Sequence, residues 1–224
     1  MKIQGFLDQL LKTAQQSASG LGDAAGVKSG ADFGKGALTG GALGLLLGNR
    51  KARKMGGKVA VYGGLAAVGV LAYKAYGDWQ KQQAGVGAAT AAEPRTVNLL
   101  PPPEAESHSQ AILKALIAAA KADGHVDDRE REVIEGEFSR LDAAPEVRQW
   151  LQAELQKPLD PAEVARAATT PEMASEMYLA SLLAVDEQNF MERAYLDELA
   201  RQLKLDDSLK ARLEQQMKEA GDAV

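Results

Sequence analysis

The sequence contains no cysteine, which removes disulfides, thiolate zinc sites and thiol catalysis together. A chain without cysteine tolerates either redox environment, so the compartment stays open on this count. Histidine is nearly as scarce, with His108 and His125 the two in the chain. No Ser-His-Asp order and no zinc signature is present, and the glycine-rich region follows no strand that would make it a nucleotide fingerprint. The enzymatic chemistry left is metal-assisted hydrolysis by carboxylates. A protein without catalytic activity is the expectation.

Each half of the chain is poor in charge of one sign. Residues 1–95 hold 12 Lys and Arg against 5 Asp and Glu, a net +7, while residues 96–224 carry a net −12. Two environments are implied, not one uniform fold. The acidic half would repel a nucleic-acid backbone, so no DNA or RNA partner is expected there. The basic charges of the first half sit beside apolar runs, which suits anionic lipid headgroups. At 224 residues the chain has room for one or two domains.

The first sixteen residues place Ile3, Phe6, Leu7, Leu10 and Leu11 on one stripe, the pattern of a short amphipathic helix. Asp8 and Gln9 interrupt any continuous apolar core of a signal peptide. Residues 1–35 therefore read as an amphipathic helix followed by a Ser/Gly/Ala-rich flexible segment. Gly36, Gly40, Gly44 and Gly48 then recur every four residues. A glycine costs about 1 kcal/mol inside a water-exposed helix, so the repeat fits close helix packing in a membrane, and with it homo-oligomerisation. A flexible spacer is the plainer alternative.

Five basic residues, Arg50, Lys51, Arg53, Lys54 and Lys58, precede the uncharged run Val59–Tyr73. Extended from Met55 to Tyr76, the run has 22 residues, enough to cross a bilayer at about 1.5 Å per residue. Tyr73, Tyr76 and Trp79 resemble an interfacial aromatic belt, with Lys58 and Lys74 snorkelling to the headgroups. Residues 36–82 are thus expected to be a Gly-rich and transmembrane region, a buried soluble helix being the plainer alternative for the 55–76 run. The charge bias places the N-terminus in the cytoplasm and the acidic domain in the periplasm. If the glycine repeat also spans, both termini lie outside. Residues 83–106 read as an Ala/Gly/Pro linker stiffened by Pro101–Pro103.

Residues 107–224 read as an acidic all-α domain of about seven helices. The first, capped by Ser107 or Ser109, carries Ile112, Leu113, Leu116 and Ile117. The second starts at Asp127 with Glu130 as its capping-box partner. A third begins at Pro145. Asp160-Pro161 and Thr170-Pro171 are cap-plus-proline starts for a fourth and a fifth. A sixth runs from about Phe190 to Leu203, and a seventh from Asp206 and Asp207 to near Gly221.

Between the first two of these helices lies Ala122-Asp123-Gly124-His125-Val126-Asp127-Asp128-Arg129-Glu130. Asp123, Asp127 and Glu130 are hard oxygen donors in one tight turn, suited to Ca2+ or another divalent cation. The spacing is not that of an EF-hand. An Asp-Gly turn with Asp127 as cap and Glu130 closing the box needs no ion at all. His125 reads first as a solvent-exposed turn histidine. A fainter copy, Ala184-Val185-Asp186-Glu187-Gln188-Asn189-Phe190-Met191-Glu192-Arg193-Ala194-Tyr195-Leu196, follows the fifth helix and suggests an imperfect internal repeat.

The paired A-D-G-x-x-D-x-x-E and V-D-x-x-x-F-M-E-R-x-Y-L motifs, with the N-R-K-A-R-K run, resemble the YebE-type family of inner-membrane proteins of unknown function. Its C-terminal domain is similar to the tellurite-resistance TerB fold. The resemblance covers nearly the whole chain. It implies a helical bundle with a candidate divalent-cation site at Asp123, Asp127, Glu130, Asp186 and Glu192. Gln188 stands where a further acid would complete the second turn. The expected function is a membrane-tethered helical interaction module of the cell envelope, responsive to a divalent cation, with membrane lipid and an unidentified protein as partners. The alternatives are a metal-assisted hydrolase and a self-assembling membrane protein.

Overall fold

The computed structural model describes residues 3–9, 65–84, 93–122, 144–185 and 190–222. Among these residues every regular element is an α-helix. In chain order they are α1 (residues 3–9), α2 (Leu65–Ala84), α3 (Pro102–Ala120), α4 (Pro145–Gln156), α5 (Pro161–Ala165), α6 (Pro171–Ala184), α7 (Phe190–Gln202) and α8 (Asp207–Asp222).

Proline and a polar cap set most of the starts. Pro102, Pro145, Pro161 and Pro171 each occupy the first turn of a helix, where the missing N–H has no partner to lose. The Asp160 side chain accepts from the Ala162 N–H, and Thr170 accepts from the Met173 N–H. These two caps hold as the sequence indicates. The first helix of the acidic half begins earlier than Ser107, because Pro102 and Pro103 open α3 instead of stiffening a linker. The second expected helix, from Asp127, lies outside the described residues.

The centre of the bundle is α6, buried at every position from Met173 to Ala184. A helix that is apolar on all sides needs neighbours on all sides. Here α3, α2, α8 and α7 surround it. Tyr178 is fully buried, and its hydroxyl donates to Glu214 Oε1 of α8 at 2.8 Å.

The element that departs most from expectation is α2. No described helix is long and apolar enough to cross a membrane. The described part of the 55–76 span, Leu65–Tyr76, lies against α6 and α8. Leu65, Val68, Leu71, Ala72, Ala75 and Tyr76 form its buried stripe, while Ala66, Val70 and Lys74 stay exposed. The helix runs on through the polar residues 78–83 to Ala84. The aromatic belt is corrected for the same reason. Tyr76 is buried in the bundle, and the Trp79 indole donates to Ser208 Oγ of α8 at 3.0 Å. The surface that buries this stripe comes from helices about 100 residues downstream, which a local hydropathy reading does not see.

Gly69 brings the chain segment at 96–99 onto α2. A Cβ there would lie 2.3 Å from Asn98 Oδ1 and 3.1 Å from Val97 Cγ1. Finally, α1 docks on α3: the Ile3 and Gln4 N–H groups donate to the two Glu106 carboxylate oxygens at 2.6 and 3.0 Å. Ile3, Phe6 and Leu7 are buried. The apolar stripe of this helix thus lies inside the protein's own core.

Candidate functional site

Of the five candidate cation ligands, Asp123, Asp127, Glu130 and Asp186 lie outside the described residues. Glu192 is described, half-buried in the first turn of α7. Among the described residues no three His, Asp or Glu side chains are grouped so as to hold a metal ion.

What the described residues do form is a groove of about 620 Å3. Three parts of the chain meet there: the C-terminal half of α2, the α5–α6 turn and the α7–α8 turn. Tyr76 and Trp79 supply an aromatic wall, their ring centroids 5.4 Å apart and the planes tilted by 36°. Leu203, Leu205 and Leu209 line it as well. Arg166 and Lys204 stand exposed at the rim. Neither has an ion-pair or side-chain hydrogen-bond partner among the described residues.

The α7–α8 turn is shaped by a paired C-cap. The Leu205 N–H donates to the Ala200 carbonyl, and the Lys204 N–H donates to the Arg201 carbonyl, at 3.1 Å each. These are the two bonds of a Schellman ending, which places the residue between them in the left-handed region. That residue is Lys204, with φ 56°. Asp206 then caps α8 by accepting from the Ser208 N–H at 2.9 Å and from the Ser208 hydroxyl. These bonds hold its carboxyl below the usual range. It also accepts from the Trp79 indole at 3.4 Å.

A second polar cluster lies inside the bundle. Glu176 on α6 is 0% exposed. Its Oε1 accepts from the Val97 N–H at 2.5 Å, and its Oε2 meets His108 Nδ1 of α3 at 2.5 Å. Burial pushes the Glu176 carboxyl up, while the bonds to His108 and Val97 pull it down. A carboxylate beside an imidazole is the equipment of a general base. Here His108 is itself only 5% exposed, so no substrate reaches the pair. Its chemistry is cohesion: one side chain joins α6, α3 and the 93–101 segment.

A third cluster fastens the α4–α5 connection to α3. Lys114 pairs with Glu163 at 2.7 Å, and Lys157 bridges Glu154 and Glu163. The Lys114 ammonium holds Glu163 below its ordinary carboxyl value.

The family model for a protein of unknown function, DUF533, matches residues 32–217. The chain belongs to the DUF533 family. DUF533 is TerB-like, in keeping with the all-helical bundle. The chain is also similar to an uncharacterized protein in the ampR 5' region of Yersinia enterocolitica. The two are 32% identical over 115 residues, which span 51% of this chain and 83% of the relative. No solved structure matches.

The groove and the Glu176–His108 pair were not among the expected sites. Glu176 had a readable signal, a single acid inside the apolar run Met173–Val185. The groove had none, because its walls come from three distant stretches of sequence.

Proposed function

We propose that this DUF533 protein is a non-catalytic helical interaction module of the bacterial cell envelope, and that it receives a partner in the groove between α2, the α5–α6 turn and the α7–α8 turn. The observation that carries the reading is the groove itself: an aromatic pair, aliphatic side chains and two cations that have no ion-pair partner among the described residues, at one concave surface. Concave sites with a few convergent polar groups are the usual places for specific binding.

The envelope part of the proposal rests on the sequence. The glycine repeat 36–48 and the basic run 50–58 are suited to lipid contact. In this reading Leu65–Tyr76 belong to the bundle, and lipid contact falls to residues 36–64. A divalent cation at the Asp123–Glu130 turn would act as a regulator of the module, since that turn joins α3 to the next segment.

Site-directed photocrosslinking in cells tests the proposal. A photoreactive residue at Thr169, on the groove rim, is expected to give a discrete adduct. One at Gln152, on the exposed face of α4, gives none. Equal labelling from both positions, or none from Thr169, would count against the groove as the working surface. Calorimetric titration of Ca2+ into wild type and Asp123→Ala/Glu130→Ala tests the regulator separately, with saturable heat expected in wild type alone.

A further inference from the structure

The rim of the groove carries an imbalance of charge that names a ligand chemistry. Residues 96–224 have a net charge of −12, so a basic side chain there has many acids to pair with. Several described ones do pair: Lys114 with Glu163, Lys157 with Glu154, Arg201 with Glu198, Lys210 with Asp197, and Arg212 with Asp78. Arg148, Arg166, Lys204 and Lys218 have no ion-pair partner among the described residues, and of these Arg166 and Lys204 stand together at one groove. The one acid that lines the groove is Asp206, and it is already engaged with Ser208 and Trp79.

The position of Lys204 adds an independent observation. Its φ of 56° lies where glycine is unstrained and an L side chain costs about 1 kcal/mol. At this helix ending the chain places an ammonium on the groove rim at that conformational cost. Such local strain at a surface cleft points to use.

We propose that the groove binds an acidic peptide segment that also carries large apolar side chains. Carboxylates of the segment meet Arg166 and Lys204, and its apolar side chains lie along Tyr76, Trp79 and Leu205. The inference rests on the groove being the interaction site proposed above, and supplies the chemistry of the partner. Pinning of the Trp79 indole by Ser208 fixes the aromatic wall before the ligand arrives, which lowers the ordering cost of binding. The guanidinium of Arg166 offers a carboxylate two parallel donors, and Lys204 offers a point charge.

The test uses the full-length protein and two fluorescent peptides. One is a short peptide of Leu, Phe and Glu, and its twin has Gln in place of every Glu. Binding is followed by anisotropy and by Trp79 emission in a Trp150→Phe background. The acidic peptide is expected to bind about ten-fold tighter than its twin. Arg166→Gln/Lys204→Gln should erase that difference, and Arg166→Lys/Lys204→Arg should retain most of it. Both positions are exposed, so circular dichroism of the variants is expected to match the wild type.

Equal binding of the twins, unaffected by the double variant, would overturn the charge assignment and leave the groove as a docking site of neutral chemistry. Quenching of Trp79 by phosphatidylglycerol vesicles without binding of either peptide would overturn it in favour of a lipid surface. Failure of all three probes would overturn both the ligand chemistry and the groove as the interaction site.

Discussion

A charged side chain at the centre of an apolar helix survives only if its partners are built in with it. Glu176 meets that condition through His108 and the Val97 N–H. Breaking a buried pair from one side leaves the other side unpaired, at a cost of about 3 kcal/mol or more. Glu176→Ala is therefore expected to lower the urea midpoint sharply, whereas Glu176→Gln keeps an acceptor for Val97 and loses less. The dependence on pH follows from burial. The folded carboxyl is raised above its ordinary value of 4.5 by desolvation, and the nearby Glu172 adds to the rise. A group raised in the folded state stabilises fully below its unfolded value, and that contribution fades as pH climbs through the raised one. The stability gap between wild type and Glu176→Gln should thus shift against the wild type from about pH 4.5 upward. Urea melts across that range check it, and a gap independent of pH would show that Glu176 does not titrate differently in the two states.

Among whole elements, the helix starts were legible and one helix ending was not. Pro145, Pro161 and Pro171 mark three observed starts, two of them behind a capping Asp or Thr. Each signal lies within a few residues of the feature it produces. The end of α7 carries no glycine, and Leu203-Lys204-Leu205 gives no local sign of a left-handed residue. Lys204→Gly relieves that backbone and is expected to stabilise the protein by about 1 kcal/mol. The same substitution removes a rim cation and should weaken the acidic peptide. A melting temperature that rises while affinity falls would separate the two roles of this position.

The expected span 55–76 finds no support in α2 for a reason of reach. Leu, Val, Ala and Gly in a long uncharged run describe a buried helix and a lipid-facing helix equally well. What decides between them is the partner surface, and here it lies on α6 and α8. The groove was hidden for the same reason, since Trp79, Arg166 and Lys204 are brought together only by the fold. At the scale of the molecule, α2 is a wall of the core. Leu65, Val68, Leu71 and Tyr76 are each less than a tenth exposed, and each buried large apolar side chain contributes about 1.5–3 kcal/mol. Their sum is comparable with the ~5–15 kcal/mol net stability of a typical domain. The full chain carrying Val68→Asp and Leu71→Asp is accordingly expected to bind a hydrophobic dye and lose its cooperative melt, while Val70→Asp, on the exposed face of α2, retains both dye exclusion and cooperativity. A sharp, dye-free melt of the double variant would remove α2 from the core.

The docking of α1 has a topological consequence. Glu106 holds the N–H groups of Ile3 and Gln4, and α2 is packed into the same bundle. Both flanks of the intervening stretch 10–64 are therefore anchored on one body. A label on α1 and a label on α2 accordingly report the same face of any membrane the protein meets.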